Sequence, residues 1–120
     1  KEIIKFLVKQ KKIVEILYPY KKGTKNYKNW KKYYKGATGL LSLVVKAKSK
    51  NSVFKFINSL ELFGIGYSWG GFESLAVYQD IQREFKKYKS KELHIVRLHI
   101  GLEDPKDLIH DLKSSLRYIK

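Results

Sequence analysis

Residues 63–74 read FGIGYSWGGFES, Phe63 to Ser74, and what this stretch is for decides how the rest of the chain is read. Four of the eight residues from Gly64 to Gly71 are glycine (Gly64, Gly66, Gly70, Gly71), with Ser68 and Trp69 set where the backbone must turn sharply. Glycines this dense either relieve a steric conflict or let something approach the backbone closely. Two chemistries compete for the segment. One is a nucleophile elbow built on Ser68. The other is a substrate-facing loop of a larger cofactor enzyme.

The surrounding chain has 120 residues, one domain's worth, of which 43% are hydrophobic and 14% aromatic, enough to bury a single core. It has no cysteine, which excludes disulfides, thiolate zinc sites and cysteine nucleophiles together and suits a reducing, cytoplasmic setting. The longest apolar run, Leu40 to Val45 broken by Ser42, is too short to cross a bilayer, and no signal-peptide pattern opens the chain. There is no methionine, even at position 1, so Lys1 is expected to continue a longer polypeptide.

The formal net charge of +15 is unevenly distributed: 15 of the 26 basic residues and 2 of the 11 acidic ones fall in residues 1–50. Lysines there alternate with Tyr18, Tyr20, Tyr27, Trp30, Tyr33 and Tyr34, a pattern that can neutralise phosphates and stack on bases. Lysine outnumbers arginine 23 to 3, however, and forked recognition of phosphates or base edges favours arginine. A solvated lysine surface is the better reading, with a nucleic-acid-binding domain as the alternative.

Periodicity predicts an amphipathic helix over Glu2–Lys11, a strand over Ile13–Tyr18 stopped by Pro19, and a basic loop over Tyr20–Lys35 with a helical turn near Asn26–Tyr34. A strand over Leu40–Lys46 is entered through Gly36 and Gly39. A helix capped by Asn51 runs to Leu60, with Val53, Phe54, Ile57 and Leu60 inward. A strand over Leu62–Tyr67 leads into the glycine turn. Val77–Lys91 reads as polar, irregular and partly helical, and His94–Ile100 as a strand. The last helix starts with Asp104 as cap and Pro105 in its first turn, and turns Leu108, Ile109, Leu112 and Leu116 inward. This order describes an α/β two-layer sandwich, a mostly antiparallel sheet with helices on one face.

Gly66-Tyr67-Ser68-Trp69-Gly70 matches G-x-S-x-G, and an aspartate (Asp80, Asp104 or Asp107) and then His110 follow in the chain order of a serine hydrolase. That enzyme class needs a parallel sheet with crossover helices, which this element order does not supply, so hydrolysis ranks third among the functions considered. His94, His99 and His110 lack metal-ligand spacing. Arg97 falls mid-strand on the face shared by Ile95 and His99, opposite Val96, Leu98 and Ile100. Taken singly it is a solvent-side residue, and Glu73, Ser74 and His99 are loop or surface residues. As a functional group, Arg97 offers a fork that can hold both oxygens of a carboxylate.

Taken together, LFGIGYSWGGFES (Leu62–Ser74) and IVRLHIGLEDPKDLIHDL (Ile95–Leu112) closely resemble the C-terminal domain of the PLP-dependent cysteine/methionine-metabolism enzymes. Within that family the bacterial cystathionine β-lyase branch is the most similar. LYPYKKGTKNYKNWKKYYKGATGLLSLVVK (Leu17–Lys46) fits the same domain, and the tryptophan of YSWGG favours the β-lyase branch over γ-synthases and γ-lyases.

The resemblance implies conversion of cystathionine to homocysteine, pyruvate and ammonia, a step of methionine biosynthesis, in a homo-oligomeric enzyme. There a lysine of a large domain carries PLP as electron sink. It implies that Arg97 binds the substrate carboxylate, that Ser68 lies beside it, and that Tyr67 and Trp69 line the pocket. No catalytic, PLP-binding or metal residue is expected within these 120 residues. Alone, the domain is expected to bind no PLP and to be inactive, its partner being the PLP-binding large domain, on the same parent chain or a separate one.

Overall fold

The computed structural model describes residues 1–80, 88 and 90–120. Its centre is β5 (Leu93–His99), whose period-2 pattern sends Val96 and Leu98 to one face and Leu93, Ile95, Arg97 and His99 to the other. β2 (Leu40–Lys46) pairs with it antiparallel on one side, with Ser42 opposite Arg97 and Leu40 opposite His99. β4 (Leu75–Gln79) pairs antiparallel on the other, with Val77 opposite Arg97 and Leu75 opposite His99. β1 (Ile13–Leu17) forms one sheet edge beside β2. The two-residue β3 (Gly64–Ile65) forms the other, parallel to β4. The sheet order is β1-β2-β5-β4-β3.

Three helices cover one face: α1 (Glu2–Leu7), α3 (Lys50–Asn58) and α4 (Pro105–Ser115), which runs on into a 3-10 turn at Leu116–Tyr118. Ile3, Leu7, Val53, Phe56, Leu108 and Leu112 meet Leu43, Val45, Ala76, Val96 and Leu98 in the core. At roughly 1.5–3 kcal/mol for each fully buried side chain, this interface is what holds the layers together. On the opposite face, among the described residues, Val44, Ile95 and Tyr88 form a small buried cluster, and Arg97 and His99 make polar contacts at the end of that face.

The α/β sandwich, its mostly antiparallel sheet and the one-sided helices agree with the sequence reading, as does the span of β2 and the Asp104–Pro105 start of α4. Several details differ. α1 stops at Leu7 because the Gln10 amide closes onto Leu7 and its side chain onto Phe6, turning the chain into β1. Residues 25–33 form a full helix, α2, because the Thr24 hydroxyl caps it by accepting from the Tyr27 amide.

In α3 the cap is Ser49 rather than Asn51. Phe56 turns inward, and Phe54 lies at the surface against Tyr78, ring centroids 5.2 Å apart. The Leu62–Tyr67 strand contracts to Gly64–Ile65. Within Val77–Lys91, residues Val77–Gln79 belong to β4, and residues 81–87 and 89 lie outside those described.

Candidate functional site

The glycine turn and Arg97 meet on the sheet face away from the helices. Arg97 is half-buried in the middle strand, between Ser42 and Val77. One guanidinium N–H donates to the Tyr67 carbonyl, and the group lies 5.8 Å from the centre of the Tyr67 ring. Tyr67, Ser68 and Trp69 are exposed in the turn beside it. Arg97 thus contacts Tyr67 directly, and Ser68 and Trp69 follow Tyr67 in the same turn. Neither Gly70 nor Gly71 has an atom within 4 Å of the position a Cβ would occupy, so the outer side of the turn is open.

What the sequence reading missed is the support under this turn. His99 and Ser74, read there as surface residues, are 6% and 0% exposed. The His99 ring accepts the Gly70 amide at Nδ1, 3.5 Å, and meets the Gly71 carbonyl at Nε2, 3.0 Å. The Ser74 amide and hydroxyl donate to the two oxygens of Glu103, at 2.7 and 2.8 Å. The Ser74 oxygen in turn accepts from the Gly101 amide, and Leu102 donates to the Phe72 carbonyl.

Gly101 must be glycine because a Cβ there would run into the Phe72 carbonyl and the Glu103 carboxylate. Burial pushes the Glu103 carboxyl up. The amides of Ser74 and of Glu103 itself, the Ser74 hydroxyl and nearby His99 outweigh that and hold it below its ordinary value. The signal for this network was the Gly-x-Glu spacing directly after β5, which lies within the motif that carried the resemblance.

Ser68 is not in an elbow, since the element after the turn is strand β4 and not a helix. His110 lines a separate groove between α4 and residues 58–62 together with Asp107. Asp104 caps α4 by accepting from the Lys106 amide, and Asp80 pairs with Lys50. No hydrogen bond or ion pair among the described residues joins any of them to Ser68. Asp111, which sequence reasoning passed over, receives the amides of Glu61 and Leu62 and fixes the entry to the segment from below. His94 is buried against the Tyr78 hydroxyl at 3.2 Å, and no group of three or more potential metal ligands occurs among the described residues.

A model of the Cys/Met metabolism PLP-dependent enzymes matches residues 1–117. The chain belongs to that family. Cys/Met-metabolism relatives include a cystathionine β-lyase of Bordetella avium, 36% identical over 117 residues, which cover 96% of this chain and 29% of that protein. An L-alanine/L-glutamate racemase of Wolbachia pipientis is 35% identical over 118 residues, with the same coverage of each. A cystathionine γ-synthase structure from Xanthomonas oryzae pv. oryzae superposes with a TM-score of 0.82 at 22% identity, covering 98% of this chain and 32% of that one. The chain thus spans about three-tenths of the length of these PLP-family relatives.

The corner built on Arg97 offers a guanidinium, an exposed hydroxyl and exposed rings, and no lysine or aspartate takes part in its hydrogen bonds among the described residues. No helix among the described residues is long and apolar enough to cross a membrane.

Proposed function

We propose that this chain is the C-terminal, substrate-carboxylate-binding domain of a PLP-dependent carbon–sulfur lyase acting on cystathionine, the cofactor being held by a large domain outside these 120 residues. The observation that carries the proposal is the convergence of Arg97 and the Tyr67–Gly71 turn on one sheet face, away from the helices. A fork-shaped cation set in a central strand can bind a carboxylate through two parallel hydrogen bonds and so fix the α-carbon of an amino acid. Tyr67 orients that fork from one side through its carbonyl. Its exposed ring, with Trp69 and the hydroxyl of Ser68, forms the wall against which the substrate lies.

PLP, bound by the large domain, would supply the electron sink for loss of the α-proton and elimination of homocysteine. The residues of this chain bind and orient, and none of them is the base. Ile65, Tyr67, Trp69, Phe72 and Leu102 are each more than 60% exposed on the same edge. An apolar set of this kind suits contact with a complementary domain.

The test is reconstitution. The chain is mixed with a separately produced PLP-binding domain from a cystathionine β-lyase, and pyruvate formed from cystathionine is measured. The mixture should turn over while each piece alone does not. Arg97→Lys should raise KM by about tenfold or more through loss of the forked pairing. Pyruvate from the chain alone would overturn the proposal. Racemisation of alanine or glutamate by the mixture in place of elimination would move the assignment to the activity named for the Wolbachia relative.

A further inference from the structure

We infer that His99 is a positioning residue, the group that fixes the Gly70–Gly71 turn and through it the placement of Ser68 and Trp69. A Gly-Gly pair has more backbone freedom than any other dipeptide, and Gly70 uses that freedom, with φ at +82°. Neither glycine has a side chain to pack, and neither has an atom near its Cβ position. Left alone, such a turn would sample many conformations, and its flanking residues would move with it.

One imidazole removes that freedom from both sides. The Gly70 N–H lies in the peptide plane that also contains the Trp69 carbonyl, and the Gly71 carbonyl lies in the plane that leads into Phe72. His99 touches both, at Nδ1 and Nε2. With Nδ1 accepting from Gly70, Nε2 is the nitrogen that donates to the Gly71 carbonyl.

The imidazole is itself held. It is 6% exposed, sits in the middle strand, and is flanked on its own face by Leu40 and Leu75. It stands two residues from Arg97 on that face, so β5 carries both the carboxylate fork and the clamp of the opposing turn. The bearing of this clamp on substrate binding rests on the function proposed above. The clamp itself does not, and its test needs neither cofactor nor substrate.

The chain has two tryptophans, so a Trp30→Phe background leaves Trp69 as sole reporter. His99→Leu, His99→Asn and His99→Gln are compared with it by Trp69 fluorescence anisotropy and by amide hydrogen exchange. Leu removes both bonds. Asn keeps the reach of Nδ1, and Gln the reach of Nε2 to Gly71, the shorter contact.

In His99→Leu the Gly70 amide should exchange about twofold or more faster, the factor for loss of a long hydrogen bond. Trp69 anisotropy should fall, while the Val96 and Leu98 amides exchange unchanged. Gln should restore Trp69 anisotropy better than Asn. Should the Leu variant fail to fold, the ordering of Gln, Asn and the parent decides. Trp69 anisotropy in His99→Leu equal to the parent's would overturn the inference, as would His99→Asn matching or exceeding His99→Gln, or uniform acceleration of exchange across β5.

Discussion

Two neighbouring clusters beside the sheet, which meet across the cavity that Trp30 shares with Gly101, are built by different means. Around the glycine turn, Ser74, Gly101 and Glu103 are joined by hydrogen bonds of 2.7–2.9 Å, and His99 bonds Gly70 and Gly71 at 3.5 and 3.0 Å, so that each residue's chemistry is required by its neighbour. At α2, Tyr20 packs edge-on against Tyr27 and Trp30, which stack on each other, with ring centroids 4.5–6.5 Å apart, and Lys28, Lys31, Lys32 and Lys35 face outward. None of these lysines takes part in the ion pairs found among the described residues, Lys46–Glu92 and Lys50–Asp80. Aromatic packing tolerates exchange of one apolar ring for another. A saturated network of buried donors and acceptors does not, because each deletion strands a partner. The difference teaches where this chain is constrained by chemistry and where only by shape.

The contrast breaks most readily at Gly101. Gly101→Ala forces a methyl group into the Phe72 carbonyl and the Glu103 carboxylate, and we expect a loss of about 3 kcal/mol in urea unfolding. A loss under 1 kcal/mol would mean that this cluster yields as freely as the other.

Glu103→Ala comes next, at about 2 kcal/mol, because it strands the buried Ser74 amide. Glu103 also adds a pH dependence. Its carboxyl is held below the ordinary 4.5 in the folded state, so the ionised form favours folding. That stabilisation is complete above the ordinary value and is lost as pH falls through the lowered folded-state value. Urea midpoints taken between pH 6 and pH 3 should decline less steeply in Glu103→Ala than in the parent. Parallel curves would remove Glu103 from the account.

The smallest effect belongs to α2. Lys31→Glu should change stability by no more than about 0.5 kcal/mol, since an exposed lysine with no ion pair among the described residues contributes little. A change above 1 kcal/mol would show a role for charge in the aromatic cluster.

The same contrast accounts for what could be read from sequence. β2 and the start of α4 were legible in the sequence, because an apolar run broken only by Ser42 and an Asp-Pro start are strong local signals. Arg97 and the turn were legible as a pair only through the motifs they belong to. β4 was missed because Leu75–Gln79 is short and runs into a polar stretch. Only pairing with β5 and packing against α3 make those five residues a strand. α2 was underread because its single strong signal, the Thr24 cap, was hidden among lysines. His99 and Ser74 carry no local signal of burial. Their partners, Gly70 and Glu103, stand 29 residues away in sequence, and such long-range hydrogen bonds leave no periodic trace.

The order β1-β2-β5-β4-β3 also has a mechanical consequence. The strand bearing Arg97 is laced to neighbours on both sides, while the turn opposite hangs from a two-residue strip at the rim. The clamp thus has one jaw set in the frame and one hung on a hinge. Relatives that handle different amino acids could reshape the hinged jaw without unseating the other.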